Sequence, residues 1–340
     1  MRSIVWSYMF LLPFAILSAT PVETMASAAT ELRASGVILG QFETVFYSKG
    51  SLVARAAIDF EKRAHDRSHA YDGLTEDNTF FLVLPFTFLA DGLAEIGGQA
   101  AVDLLHSSDA VLVGAKDFRA PSSFGMIQSK FCYVVALDRQ NIIESRKIFQ
   151  HLSISSIDHV GPVWTWTGRL REGQSAPITY YAATVADSYL LVSNTVDEMK
   201  DIVHQLGSPA NGELKPSELR RLKQVEQCEY WAYRHSLDSV IGEDATQVPY
   251  LAGGVTGLSF CVNFRRRTGA FRVFGPTIDS HTVAAMNAYL VKSMRTGSPI
   301  FRLTGAGTCE ATVDLTANPH PNGGISMLAI VDLLGFGIAM

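Results

Sequence analysis

Charge is scarce in this chain of 340 residues. Asp, Glu, Lys and Arg together make up 18% of it, against 47% apolar residues. A disordered chain needs the reverse balance, so the composition points to a packed core. The formal net charge is −5, which excludes a general attraction to nucleic acid or to anionic lipid. Several chemical signatures are missing as well. No C-x-x-C occurs, so neither a thioredoxin-like redox pair nor a zinc knuckle is signalled. H-E-x-x-H is absent: His65 is followed by Asp66, Arg67 and Ser68. A nucleophile elbow begins at Gly257-Leu258-Ser259, but Cys261 stands where its second glycine belongs. Gly305-Ala306-Gly307 has no following Gly-Lys-Ser/Thr, so no phosphate loop is present. No cofactor is implied, and the chain reads more readily as a non-enzyme than as an enzyme.

Long apolar runs are also short of what a membrane span requires, roughly 20 residues. The two richest stretches are residues 4–17 and the tail, residues 325–340 (Ile325 to Met340), and Asp332 interrupts the tail. The first has a different meaning. Arg2 precedes it, and Ala26-Ser27-Ala28 follows as a small-x-small site. That order is a secretory signal peptide, cut after Ala28, which places the mature chain in a periplasmic or extracellular compartment. No cysteine lies near the cut to carry a lipid anchor. The tail reads as a terminal element docked on the core, with membrane contact as the sharper alternative.

Four cysteines follow the leader: Cys132, Cys228, Cys261 and Cys309. In an oxidising compartment they permit disulfides, and four cysteines allow three pairings. Each also lies in an apolar, strand-like setting that suits a buried free thiol.

Periodicity predicts an α+β protein with mostly antiparallel sheets and helices packed on one face. Residues 51–69 read as a helix, 79–84 as a short strand, and 86–105 as a helix opened by Pro85 and weakened at Gly97-Gly98. Residues 110–115 and 130–137 read as strands. Residues 141–152 read as a helix with Ile142, Ile143, Ile148 and Phe149 inward. A strand at 163–167 precedes a hairpin of 178–185 and 189–193. The next helix is expected to start with a Thr195/Glu198 capping box and to stop at Gly207. Residues 207–216 hold two Gly and two Pro and read as a linker, which divides the mature chain into 29–206 and 217–340. The second part repeats the order: a strand at 229–236, a hairpin of 257–264 and 270–274, then a helix opened by Asp279. Thr195-Val196-Asp197 and Thr277-Ile278-Asp279 hold matching places, which suggests a duplicated strand–strand–helix module. Strands at 300–304 and 308–316 complete it.

Three constellations are candidate sites. Glu61, His65 and His69 are spaced i, i+4, i+8 on one helix face; neighbours four apart can clamp a metal ion, while a solvated charged face explains the same spacing. Arg265, Arg266 and Arg267 at a hairpin tip offer guanidinium groups to an anionic ligand, or keep a sheet end soluble. Trp164 and Trp166 alternate on a strand, so both indoles share one face, suited to a ligand platform or to core packing. The function these features favour is that of an exported, non-catalytic protein that binds a small ligand or an envelope partner, or that has a structural role there. A secreted hydrolase with a dispersed active site and a membrane-associated protein using the tail are the alternatives.

Overall fold

The computed structural model describes residues 21–54, 80–116, 129–169, 176–207, 228–235, 256–263, 268–294 and 301–314. Among the described residues, twelve strands form one antiparallel sheet. In chain order they are β1 (Thr44–Ser48), β2 (Ala110–Lys116), β3 (Lys130–Ala136), β4 (Ser153–Ile157), β5 (Gly161–Thr167), β6 (Thr179–Val185), β7 (Tyr189–Ser193), β8 (Tyr230–Arg234), β9 (Gly257–Asn263), β10 (Thr268–Phe274), β11 (Phe301–Gly305) and β12 (Thr308–Asp314). Their spatial order is β11-β12-β10-β9-β8-β1-β2-β3-β7-β6-β5-β4. The helices are α1 (Pro21–Gln41), α2 (Phe80–Gly97), α3 (Gln99–Ser107), α4 (Arg139–Phe149), α5 (Val196–Gly207) and α6 (Ser280–Met294). The class is the α+β, antiparallel one that the sequence implies.

Helices cover both faces rather than one. Alternate residues of the central strands feed two separate cores. Phe46, Val113, Tyr133 and Leu190 pack under α2, α3, α4 and α6. Val45, Leu112, Cys132 and Leu191 pack under α1 and α5. A strand sealed on both sides needs apolar residues at every position, which is why these strands read as continuous runs rather than as alternating ones. β1 is central to this arrangement. All five of its residues are buried, and it pairs with β2 on one side and β8 on the other. One sheet therefore runs through both of the stretches that the sequence suggests as domains.

Two strand–strand–helix units do occur in the expected order, β6–β7–α5 and β9–β10–α6. β6 and β9 are an even number of antiparallel steps apart and run in the same sense. A simply repeated unit would then send both helices to one face. Instead α5 joins the α1 side through Met199, Ile202 and Leu206, and α6 joins the opposite side through Val283 and Met286. Only Asn194 and Thr195 link β7 to α5, whereas residues 275–279 link β10 to α6 and give the chain room to change sides.

Local chemistry sets the helix ends. Asp138 caps α4, its carboxylate accepting from the Asn141 amide at 2.7 Å. Asp279 does the same for α6, accepting from the Thr282 amide at 2.8 Å, and this hydrogen bond holds its carboxyl below the usual range. The expected Thr195/Glu198 capping box does not form. Glu198 is drawn away into an ion pair with Lys116 at 2.6 Å, and Thr195 Oγ1 has no hydrogen-bond partner. Residues 80–84, expected as a strand, instead begin α2. Five apolar residues carry no period that separates the two forms. Pro85 lies inside α2 rather than at its start, and its carbonyl accepts from the Tyr133 hydroxyl at 2.5 Å. The helix expected over 86–105 is broken in two: Gly98 takes a φ of +52°, a conformation costly for any residue with a Cβ, and α3 starts anew. Ile143, expected inward, is 44% exposed. Only the first turn of the helix expected at 51–69 is described, through residue 54.

α1 starts upstream of the expected cut, and residues from Thr30 onward anchor it to the sheet and to α5. The Thr30 carbonyl accepts from the Tyr189 hydroxyl at 2.9 Å, and Arg33 donates to the Gln205 carbonyl at 3.3 Å. Glu31 accepts from both Tyr47 and Lys49. His235 Nε2 lies 2.8 Å from the Leu39 carbonyl and ties α1 to the end of β8.

Cys228 and Cys261 form a disulfide that ties the residue region before β8 to β9, with Cα atoms 5.6 Å apart. Cys132 and Cys309 are buried free thiols on opposite faces of the sheet. The bridge closes a loop of 33 residues in sequence. Chain-entropy reasoning gives it roughly 3–4 kcal/mol of stability. Replacing both bridging cysteines by serine is expected to lower the urea unfolding free energy by that amount. Reductant should shift the wild-type midpoint and leave that of the double variant in place.

Candidate functional site

The two tryptophans are core. Trp164 and Trp166 are 6% and 7% exposed, on the face of β5 that lies under α4. Phe149 of α4 stacks on Trp164 with ring centroids 5.2 Å apart, and Tyr180 stacks on Trp166 at 5.1 Å. The indoles are therefore closed over by a helix and do not form an open platform. Trp166 Nε1 is buried with no acceptor among the described residues. Glu61, His65 and His69 lie outside the described residues, as do Arg265, Arg266 and Arg267 and the tail 325–340. Among the described residues no group of three or more His, Cys, Asp or Glu is placed to hold a metal ion, and no helix is long and apolar enough to cross a membrane.

A polar cluster between α1 and the end of β1 is structural in geometry. Tyr47 stacks on Trp231 with centroids 5.4 Å apart, Glu31 accepts from its hydroxyl, and Lys49 lies 5.5 Å from its ring centroid. Burial, and then the Glu31 carboxylate, push the Tyr47 phenol well above its ordinary range.

A concave feature built by described residues lies between α3 and α4. The break at Gly97-Gly98 turns α3 away from the line of α2 and opens a groove of about 590 Å³ against α4. Ile96, Leu104 and Ile148 form an apolar floor. Asp103 rises on the α3 side, and Asn141, Glu144, Lys147 and His151 on the α4 side. Two rim carboxylates are already engaged. Lys147 pairs with Glu144 at 2.7 Å, and Gln99 donates to Asp103 at 2.9 Å. These are exposed, solvent-screened contacts worth a fraction of a kcal/mol, so an incoming group can displace them at little cost. An apolar floor with a few polar groups at its margin is the usual form of a small-ligand site. Sequence reasoning singled out none of these rim residues. The one signal for the groove was the Gly97-Gly98 pair, read only as a weak point in a helix.

Gly97 sets how closely α2 meets α4. A Cβ there would come within 2.6 Å of Ile148 Cγ2 and 3.1 Å of the Ala101 Cβ. Ile148 is β-branched and cannot swing clear, so its helix has to move. Gly97→Ala is expected to cost about 1–3 kcal/mol by overpacking. Urea unfolding would measure it, and an unchanged midpoint would contradict this packing.

No family model and no curated protein matches the chain. Among solved structures it is similar to TP0453. Crystal form IV of that protein has a TM-score of 0.40 at 11% identity, covering 82% of this chain and 92% of that one. Crystal form I has a TM-score of 0.39 at 10% identity, covering 88% and 96%. The likeness is one of backbone course, and no residue, ligand or activity is carried across from it.

Proposed function

We propose that this chain is an exported, non-catalytic protein of the cell envelope or its surroundings, which binds a small ligand or an envelope partner in the groove between α3 and α4. The observation that carries the binding part is the groove: an apolar floor of Ile96, Leu104 and Ile148 under a rim whose carboxylates, Asp103 and Glu144, outnumber its one lysine, Lys147. A slightly acidic rim over an apolar floor suits an amphiphile that is neutral or cationic at its polar end. Export is supported by the leader with its Ala26-Ser27-Ala28 site and by the Cys228–Cys261 bridge, since disulfides persist outside the reducing cytosol.

Two measurements test this reading. Mass spectrometry of protein recovered from the producing cell should find Ala29 as the first residue; an intact amino terminus on cytosolic protein would remove export. Isothermal titration with dodecyltrimethylammonium below its micelle concentration should show binding to the wild-type chain. Ala100→Trp, which places an indole in the groove from an exposed position, should weaken that binding at least tenfold and leave stability unchanged. Equal affinity in the two proteins would remove the groove as the site.

A further inference from the structure

The two edges of the sheet are built differently. β11, at one end, carries Arg302 and is interrupted by a register shift between Leu303 and Gly305. A charge and a bulge are both means by which natural sheets block strand addition. β4, at the other end, has neither. Its sequence is Ser-Ile-Ser-Ser-Ile, and it pairs in unbroken register with β5. Ser153 to Ser156 are exposed, and no described strand lies beyond them. Ile154 is 61% exposed, above Ile143 and Leu303, the other exposed large apolar residues described.

We propose that β4 is a self-pairing edge: two copies of this chain join antiparallel through β4 about a two-fold axis at Ile154. The pattern of charge chooses the second copy over a foreign strand. In two-fold pairing each residue meets the one equally far on the other side of the axis, so a charged residue on or beside the axis would lie near its own copy. β4 carries none, whereas the same operation on β11 would bring Arg302 towards the partner's Arg302. Ile154 shares the face of its cross-strand neighbour Trp164. The axis sets it directly against the partner's Ile154, with Cβ atoms about 4.5–5.5 Å apart, and Ser153 against the partner's Ser155. Serine and isoleucine offer no charge with which to read a foreign sequence, so backbone bonds and one apolar contact hold the pair. The two-fold also closes the assembly, while β4 joined to β11 of another copy would grow open chains. A five-residue strand pair buries less than the roughly 1,000 Å² of a stable interface, so the dimer is weak and depends on concentration.

This pairing does not depend on the groove, and the two fail separately. Sedimentation equilibrium of the purified chain should show a mass rising towards twice that of one chain as concentration increases through the micromolar range. Ile154→Lys should weaken self-association at least tenfold, with an unchanged circular dichroism spectrum and unchanged binding in the groove. Under mild oxidation, Ile154→Cys should give a cross-linked dimer. Ser155→Cys should not, because two residues of offset place its partner beyond the roughly 7 Å that a disulfide spans. A wild-type chain that stays monomeric at its solubility limit overturns the proposal. So does a dimer indifferent to Ile154→Lys, or equal cross-linking from both cysteine variants. A monomer whose outward β4 amides are nonetheless protected from exchange overturns it too, because the edge is then covered within the same chain.

Discussion

A sheet covered on both faces has no water beside its central strands, and that fact governs the rest of the molecule. Every backbone donor and acceptor in β1, β2, β3 and β7 must find its partner within the ladder, because an unpaired buried group costs about 1–3 kcal/mol. The antiparallel pairing from β4 to β11 meets that need without a break in strand order. The low charge of the chain follows from the same constraint, since side chains on both sides of each central strand lie in a core. The exceptions sit where the strands end. Arg234 closes β8 opposite Thr44 and is fully buried; burial lowers its guanidinium to about 10, and Glu43 works in the other direction. A cation is tolerated there because it lies next to the end of the ladder, where a carboxylate can approach it.

This constraint explains which elements were legible in the sequence. β2, β3, β6, β7 and β9 have long apolar or β-branched runs bounded by turn residues, and their limits fall within a residue or two of expectation. Asp279 was also readable as a helix opener, because capping acts through a single residue, whereas Gly97-Gly98 was read as a weak point within one helix and not as the break that it is. β4 was not. Four of its five residues are exposed and three are serine, so it has neither the alternation nor the apolar run that marks a strand. It exists because a tight turn folds it back on β5. The start of α2 was misread for the opposite reason: its residues are so uniformly apolar that they fit a strand and a helix alike. Thr195 shows a third kind of failure, a local signal overridden by Lys116, which is near Glu198 in space but 82 positions away in sequence.

Face assignment and site assignment escaped the sequence for a common reason. Both depend on what lies above a strand, and a period of two records only that successive side chains point to opposite sides. Trp164 and Trp166 were rightly placed on one face, but only α4 decides that the face is closed. The groove presents the inverse case. Asp103, Asn141, Glu144 and Lys147 are unremarkable polar positions on two helices, with His151 in the turn after α4, and they face one groove only because α3 departs from the line of α2. Of the cysteines, the bridged pair needed the β8–β9 register to be recognised, since that register brings Trp231 opposite Cys261 and leaves Cys228 within reach.

Among the described residues, the groove and the unpaired edge strand lie at the same end of the sheet. α1 and α5 seal one face of the central strands, α2 to α4 and α6 seal the other, and β11 is guarded by charge and by a bulge. The segment from α4 into β4 is different. His151 stands on the rim of the groove, and two residues later Ser153 opens the bare edge. Between them Leu152 packs against the aromatic core that holds Phe149 and both tryptophans. Close-packed aromatic rings hold α4 and the strand beside it in one rigid support. The groove and the edge strand lie on either side of that support and are used independently. The rest of the molecule, with its doubly covered sheet, supplies the fixed frame against which that support is held.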